Sequence, residues 1–225
     1  PCTLLLSPNS PSGVRGVQNK TDMKIFAVGM NYAAHNKEMH NPLELSEPVI
    51  FMKGDSLLKD GKPFFIPDFS SQIHYETELV IKICRLGKNI AEKFAHRYYE
   101  DVTIGIDFTA RDLQTDFRQR GLPWELSKAF DNSAVVGTFI PLADIGNADQ
   151  LSFHLTINEQ TVQQGQTSRM IFSVDKIIAY ISRFFTLRIG DLIYTGTPAG
   201  VGAVHIGDHL QGYLENRKLL DFYIR

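Results

Sequence analysis

Glu76 and Glu78 stand two apart in His74-Tyr75-Glu76-Thr77-Glu78-Leu79, and on a strand, where side chains alternate between faces, both carboxylates project from one side. Side by side, two such anions raise each other's pKa unless a cation or strong donors lie between them. An isolated Glu-x-Glu is more often a solvated strand face, because charged side chains are mostly exposed. Asp107 changes that reading, since it lies in Val102-Thr103-Ile104-Gly105-Ile106-Asp107-Phe108, a run too apolar for a surface strand. A carboxylate buried there must be paired, hydrogen-bonded or metal-bound. Glu76, Glu78 and Asp107, without cysteine, form a set of hard oxygen donors, which favours Mg²⁺ or Mn²⁺ over zinc or copper. His74 shares the strand face by parity and alone argues for a transition metal; a hydrogen-bonded structural histidine is the expected reading.

Other residues gain interest from their spacing. Arg111 and Gln114 are i, i+3 on a predicted helix just after Asp107, so they share a face and can present donors to a carboxylate. His35 and Glu38 have the same spacing, which lets the carboxylate orient the imidazole as in acid–base pairs. Lys128, after Trp124 in a less regular segment, would by default be a surface lysine. The run Gly196-Thr197-Pro198-Ala199-Gly200-Val201-Gly202 lacks the Gly-Lys-Ser/Thr ending and following helix of a phosphate loop. It reads as a tight turn that displays Thr197.

The elements that must position these groups are mostly short. Strands are predicted over 24–28, 49–52, 64–66, 75–84, 102–109, 134–140, 151–157, 192–194, 210–214 and 219–224, of which 75–84 has the clearest alternation. Residues 31–39 read as a polar, helix-compatible turn. Helices are predicted over 91–100, 111–120 (stopped by Gly121 and Pro123) and 174–185, the last capped by Ser173 with Ile177, Ile181, Phe184 and Phe185 as a core stripe. Ile-Gly-Asp occurs at Ile189 and again at Ile206 and marks turns. Many short strands with few helices imply an α+β, mainly β fold of sandwich, roll or barrel type rather than a doubly wound sheet.

In the whole chain of 225 residues, 43% are hydrophobic and 21% charged, enough for a substantial core. With 23 Lys and Arg against 25 Asp and Glu, the net charge of -2 provides no global field for nucleic acid or acidic lipid. No apolar run reaches the roughly 20 residues that cross a bilayer, so a soluble protein is expected. Cys2 and Cys84 are too few for a disulfide framework and favour a reducing, cytoplasmic setting. Residues 1–22, with three prolines, read as an added or upstream extension, with Met23 opening a single catalytic domain over 23–225. Arg15 and Lys20 follow the Leu4-Leu5-Leu6 run instead of preceding it, unlike a secretory leader.

Taken in order, Gly29-Met30-Asn31-Tyr32-Ala33-Ala34-His35, the Glu76 and Glu78 strand, Asp107 with Thr109-Ala110-Arg111-Asp112-Leu113-Gln114, Lys128-Ala129-Phe130-Asp131 and Thr195-Gly196-Thr197-Pro198-Ala199-Gly200-Val201-Gly202 resemble the motifs of the fumarylacetoacetate hydrolase family. The resemblance spans about 23–225 and lies with the compact acylpyruvase and oxaloacetate decarboxylase branch. It implies a mixed β-sandwich roll and a homodimer. It implies that Glu76, Glu78 and Asp107 hold Mg²⁺ or Mn²⁺. By the same resemblance Arg111, Gln114, Lys128 and Thr197 surround the carboxylate and keto oxygens of a small 2-oxo acid, with Lys128 stabilising enolate charge, and His35 and Glu38 form a catalytic pair on a lid. The implied reaction is carbon–carbon cleavage, by acylpyruvate hydrolysis or oxaloacetate decarboxylation. A hydroxymuconate-type isomerase and a non-catalytic metal-binding module of the same fold are the alternatives.

Overall fold

The computed structural model describes residues 23–40 and 45–225; the extension expected at 1–22 lies outside the described residues. The largest sheet runs in the order β2 (Val49–Lys53), β1 (Ile25–Gly29), β12 (Leu192–Tyr194), β5 (Thr77–Ile83), β6 (Tyr99–Asp107), β8 (Ala134–Val136) and β3 (Leu57–Lys59), with β9 (Ile140–Pro141) beside β6. β1–β12 and β3–β8 are parallel pairs and the remaining pairs are antiparallel. A four-stranded antiparallel sheet, β11 (Gln160–Gln166), β10 (Ser152–Ile157), β14 (His209–Leu214) and β15 (Arg217–Tyr223), packs against β6. A third, small sheet joins β13 (Gly202–Ala203), β4 (Ile73–Tyr75) and β7 (Thr109–Ala110). The helices are α1 (Ala33–Glu38), α2 (Glu92–Ala95), α3 (Arg111–Arg120), α4 (Glu125–Lys128) and α5 (Val174–Phe184). This is the mainly β, α+β roll expected from the sequence.

Alternation sorts the large sheet into two buried faces. Phe26, Val28, Leu79, Ile81, Ile104, Ile106 and Val135 join the main core with Leu155, Leu210, Leu220 and Phe222 of the second sheet. Ile25, Ala27, Val80, Ala134, Val136 and Tyr194 pack on the opposite face. A sheet covered on both sides needs apolar residues at nearly every position, which is why β1 and β6 read as apolar runs. The interior approach is close: a Cβ on Gly212 would meet Ile104 at 2.9 Å. Ser173 caps α5 by accepting from Lys176 N at 3.2 Å, and Gly121, at φ 66°, ends α3.

Several expected boundaries move. The strand expected over 75–84 breaks at Glu76, so β4 pairs in the small sheet while β5 pairs in the large one. The helix expected over 91–100 is only one turn, because Tyr99 is drawn into the β6 ladder opposite Ile83. Phe64 makes a single bridge to Ile224 and no strand forms at 64–66. The strand expected over 134–140 stops at Val136: the next residue, Gly137, lies against the Leu219 carbonyl. β11 was not legible, since Gln-Thr-Val-Gln-Gln-Gly-Gln has no apolar alternation. The α5 stripe also differs: Ile177 and Ile181 are core, but Phe184 is 57% exposed and Phe185 rests on Phe26 with ring centroids 5.1 Å apart. Both Ile-Gly-Asp segments are turns, with Gly190 and Gly207 at φ 91° and 97°.

Candidate active site

The break at Glu76 places the acidic residues. Asp107 N donates to the Glu76 carbonyl at 2.8 Å, so the end of β6 lies against the crossing point between β4 and β5. Glu78 pairs in register with Gly105, and alternation brings Glu76, Glu78 and Asp107 to one face. Gly105 lets Val80, the Val135 carbonyl and Tyr194 close in beside Glu78: a Cβ there would meet them at 2.6–2.8 Å. Ligand atoms from the three carboxylates lie within 4.8 Å of one another, and all three residues are buried. His74 is outside this cluster; its Nδ1 lies 3.4 Å from Arg111 Nε, the structural role expected.

The electrostatics of the three acids differ. Glu76 accepts from Arg111 Nη2 at 2.5 Å and from Lys128 Nζ at 2.7 Å. Burial alone would push its carboxyl up, but Lys128 and Arg111 override burial and hold it well below the usual carboxylate range. Asp107 is held by Lys53 on one oxygen and by Lys128 at 2.9 Å on the other. Glu78 has no lysine or arginine contact among the described residues; its bond is from Gly196 N at 2.6 Å. Burial, then Asp107 and Glu76, raise its carboxyl well above the ordinary value. Three buried carboxylates within reach of one another, one of them without a lysine or arginine contact among the described residues, fit a divalent ion, and all-oxygen donors suit Mg²⁺ or Mn²⁺.

The other expected residues converge on the same place. One pocket is lined by His35, Glu76, Glu78, Asp107, Arg111, Gln114, Lys128 and Thr197, with Val28, Met30, Phe51 and Trp124 among its apolar walls. Glu38 is not in the lining but bonds His35, Nδ1 to Oε2 at 3.2 Å, and accepts from Gly200 N at 3.0 Å. Lys128 sits on one-turn α4, not in an irregular segment, and its three N–H groups reach Glu76, Asp107 and Thr109 Oγ1. Burial opposes its charge, yet Asp107 and Glu76 raise its pKa. Arg111 Nη1 donates to Gln114 Oε1 at 2.5 Å, which leaves the Gln114 amide N–H groups without a partner among the described residues.

Sequence reasoning missed two residues here. Lys53, whose side chain is fully buried at the end of β2, bonds Asp107 and the Phe108 carbonyl at 3.1 Å. Burial lowers its pKa against the pull of Asp107. A lysine closing the apolar run Val49-Ile50-Phe51-Met52 was its only signal. Asn31, which stands in the motif at 29–35, is wholly buried; its amide donates to Phe172 O and Thr195 O and accepts from Phe172 N. It ties the segment before α1 to the loop that follows β12.

A β roll that gathers acidic, basic and imidazole groups around one pocket defines a class, and comparison with known proteins says which. Residues 24–223 match the Fumarylacetoacetate (FAA) hydrolase C-terminal family, and the chain belongs to the fumarylacetoacetate hydrolase family. It is 41% identical over 192 residues to the mitochondrial oxaloacetate tautomerase of Rattus norvegicus, covering 85% of this chain and 86% of that protein. It is 43% identical over 190 residues to the mitochondrial oxaloacetate decarboxylase of Dictyostelium discoideum, covering 84% and 87%. Among solved structures, the fumarylpyruvate hydrolase of Pseudomonas aeruginosa in complex with Mn²⁺ and pyruvate is similar with a TM-score of 0.84 and 33% identity, covering 99% of each chain. These relatives place the chain in the acylpyruvase and oxaloacetate decarboxylase branch expected from its motifs.

Proposed function

We propose that the chain is a divalent-cation-dependent enzyme that develops enolate charge on a small 2-oxo acid of the oxaloacetate kind. At the carbon beside the keto group it either releases a carboxylate as CO₂ or moves a proton. The observation that carries this reading is the charge balance of the pocket. Glu76, Glu78 and Asp107 share the pocket with Arg111, Arg118 and Lys128, and Lys53 backs Asp107, so with a divalent ion bound the site carries an excess of positive charge that suits a carboxylate-bearing substrate. The names of the rat and Dictyostelium relatives, and the Mn²⁺ and pyruvate of the Pseudomonas structure, support both the substrate class and the ion.

Glu76, Glu78 and Asp107 would hold Mg²⁺ or Mn²⁺, which when bound supplies Lewis-acid stabilisation of charge at a keto oxygen. Lys128 would supply the pocket with a fixed point charge toward developing enolate charge, because its donors are already anchored and need no reorganisation. Gln114, steadied through its carbonyl by Arg111, offers amide donors to the substrate carboxylate. Glu38 holds the imidazole of His35 through Nδ1 and leaves Nε2 to carry the proton. Phe51, Trp124 and Met30 limit water in the pocket.

A second reading, hydrolysis of an acylpyruvate, is supported by the His35–Glu38 pair, which suits activation of a water. The apolar groove of Pro48, Ile50, Met52, Tyr180, Phe184 and Phe185 beside edge strand β2 supports the homodimer expected of this branch. The lack of a cysteine framework supports a reducing, cytoplasmic-type compartment. The test compares CO₂ release and loss of enol absorbance from oxaloacetate with pyruvate release from acetylpyruvate, each with Mg²⁺ and with chelator. Mg²⁺-dependent turnover of oxaloacetate supports the first reading. Turnover of acetylpyruvate alone moves the assignment to the second.

A further inference from the structure

Gln163 lies on β11, in a sheet that contributes no side chain to the pocket lining. It is 2% exposed, and each end of its amide is engaged. Its Oε1 accepts from Thr77 N at 2.9 Å, and its Nε2 donates to Thr197 Oγ1 and to the Pro198 carbonyl, both at 2.8 Å. The amide orientation is fixed by its neighbours, since a backbone N–H only donates and a carbonyl only accepts. Thr197 Oγ1 in turn donates to the Thr77 carbonyl at 3.0 Å, which closes a ring of hydrogen bonds through Thr77, Gln163 and Thr197.

Two things follow from that ring. Thr77 stands between Glu76 and Glu78, so the glutamine tethers the strand segment that carries two of the three acids. The proton of the Thr197 hydroxyl is committed to Thr77, so this side chain presents a lone pair to the pocket. A lone pair meets an O–H donor, such as an enol hydroxyl or a water, and not a carboxylate oxygen.

We infer that Gln163 is a positioning residue: one buried amide sets the spacing between the acidic strand and Thr197 and fixes Thr197 as a hydrogen-bond acceptor. For its kinetic part this rests on the oxaloacetate reading above. The experiment compares Gln163→Leu, which removes every bond, with Gln163→Glu, which keeps the acceptor for Thr77 N but has no N–H for Thr197 or Pro198. Mg²⁺ affinity is measured by calorimetry, and KM and kcat on oxaloacetate at saturating Mg²⁺.

The expected result is a split. Gln163→Glu keeps Mg²⁺ affinity at or above wild type and raises KM about tenfold, the effect of about one lost hydrogen bond. Gln163→Leu raises KM similarly and also weakens Mg²⁺ binding severalfold. A wild-type KM in Gln163→Glu overturns the inference, as does equal loss of Mg²⁺ affinity in both variants, which would mark a general disturbance. If Gln163→Leu does not fold, KM in Gln163→Glu decides alone. If the wild type leaves oxaloacetate untouched, the substrate assignment falls, and the difference in Mg²⁺ affinity still tests the tether.

Discussion

Both oxygens of Glu76 and both of Asp107 are held by cationic side chains, whereas among the described residues Glu78 is held by a backbone N–H alone. That asymmetry predicts opposite effects on the metal-free protein. Asp107→Asn leaves Lys53 and Lys128 short of a buried counter-charge and should destabilise by about 3–5 kcal/mol. Glu78→Gln replaces a carboxyl that is already driven toward its neutral form, so thermal stability without metal should hold or rise. Both variants should lose Mg²⁺ affinity by about 10- to 100-fold or more. Calorimetric titration with melting curves in chelator checks the pair, and equal destabilisation by the two would contradict the assignment. His35 carries a different expectation. His35→Ala should cost about 10² to 10⁴-fold in acylpyruvate hydrolysis, where a water must be activated, and less in decarboxylation, with Mg²⁺ affinity unchanged. Equal losses in both reactions, measured on one preparation, would remove the water-activating role.

At the scale of elements, the site depends on β6 ending beside the break between β4 and β5. Gly105 is a tight point within β6, because Val80, Tyr194 and the Val135 carbonyl already occupy the space of a Cβ. Gly105→Ala should destabilise by about 1–3 kcal/mol through overpacking, a loss of about 2–4 °C in Tm per kcal/mol for a chain of this size. An unchanged Tm would show that the sheet yields more easily than the contacts imply. The acidic constellation itself was legible: strand parity put Glu76 and Glu78 on one face, and the apolar run around Asp107 marked that carboxylate as buried. Helix spacing likewise joined Arg111 to Gln114 and His35 to Glu38. The break at Glu76 was not legible, because alternation continues through it and only the partners of the two halves differ. Lys53 and Gln163 stayed hidden for a related reason. Their bonds span 54 and 86 residues to Asp107 and Thr77, and no local pattern encodes such separations.

Over the whole molecule, the pocket couples folding, protonation and ion binding. Glu78 has a folded pKa above its ordinary 4.5, so its contribution to stability is full below that value and is lost as pH rises through the raised one. Glu76 is depressed, so its contribution is present above its ordinary 4.5 and is lost as pH falls. The metal-free protein should therefore lose stability as pH rises from about 4.5 through the raised Glu78 transition, and Mg²⁺, whose binding would require loss of that proton, should restore it increasingly over that range. Melting temperatures across pH with chelator and with Mg²⁺ measure this. A Mg²⁺ shift that does not grow with pH would contradict it. Among the described residues no helix is long and apolar enough to cross a membrane.

A divalent ion held by Glu76, Glu78 and Asp107 should be required for chemistry on an oxaloacetate-type acid. The most direct test is to titrate chelator-treated protein with Mg²⁺ while following oxaloacetate turnover, and to set the activity curve beside the calorimetric binding curve of the same preparation. Coincident midpoints are expected for the wild type, with both curves lost or moved together to higher Mg²⁺ in Glu78→Gln. Full turnover in chelator, or activity in Glu78→Gln at wild-type Mg²⁺ concentrations, would contradict it.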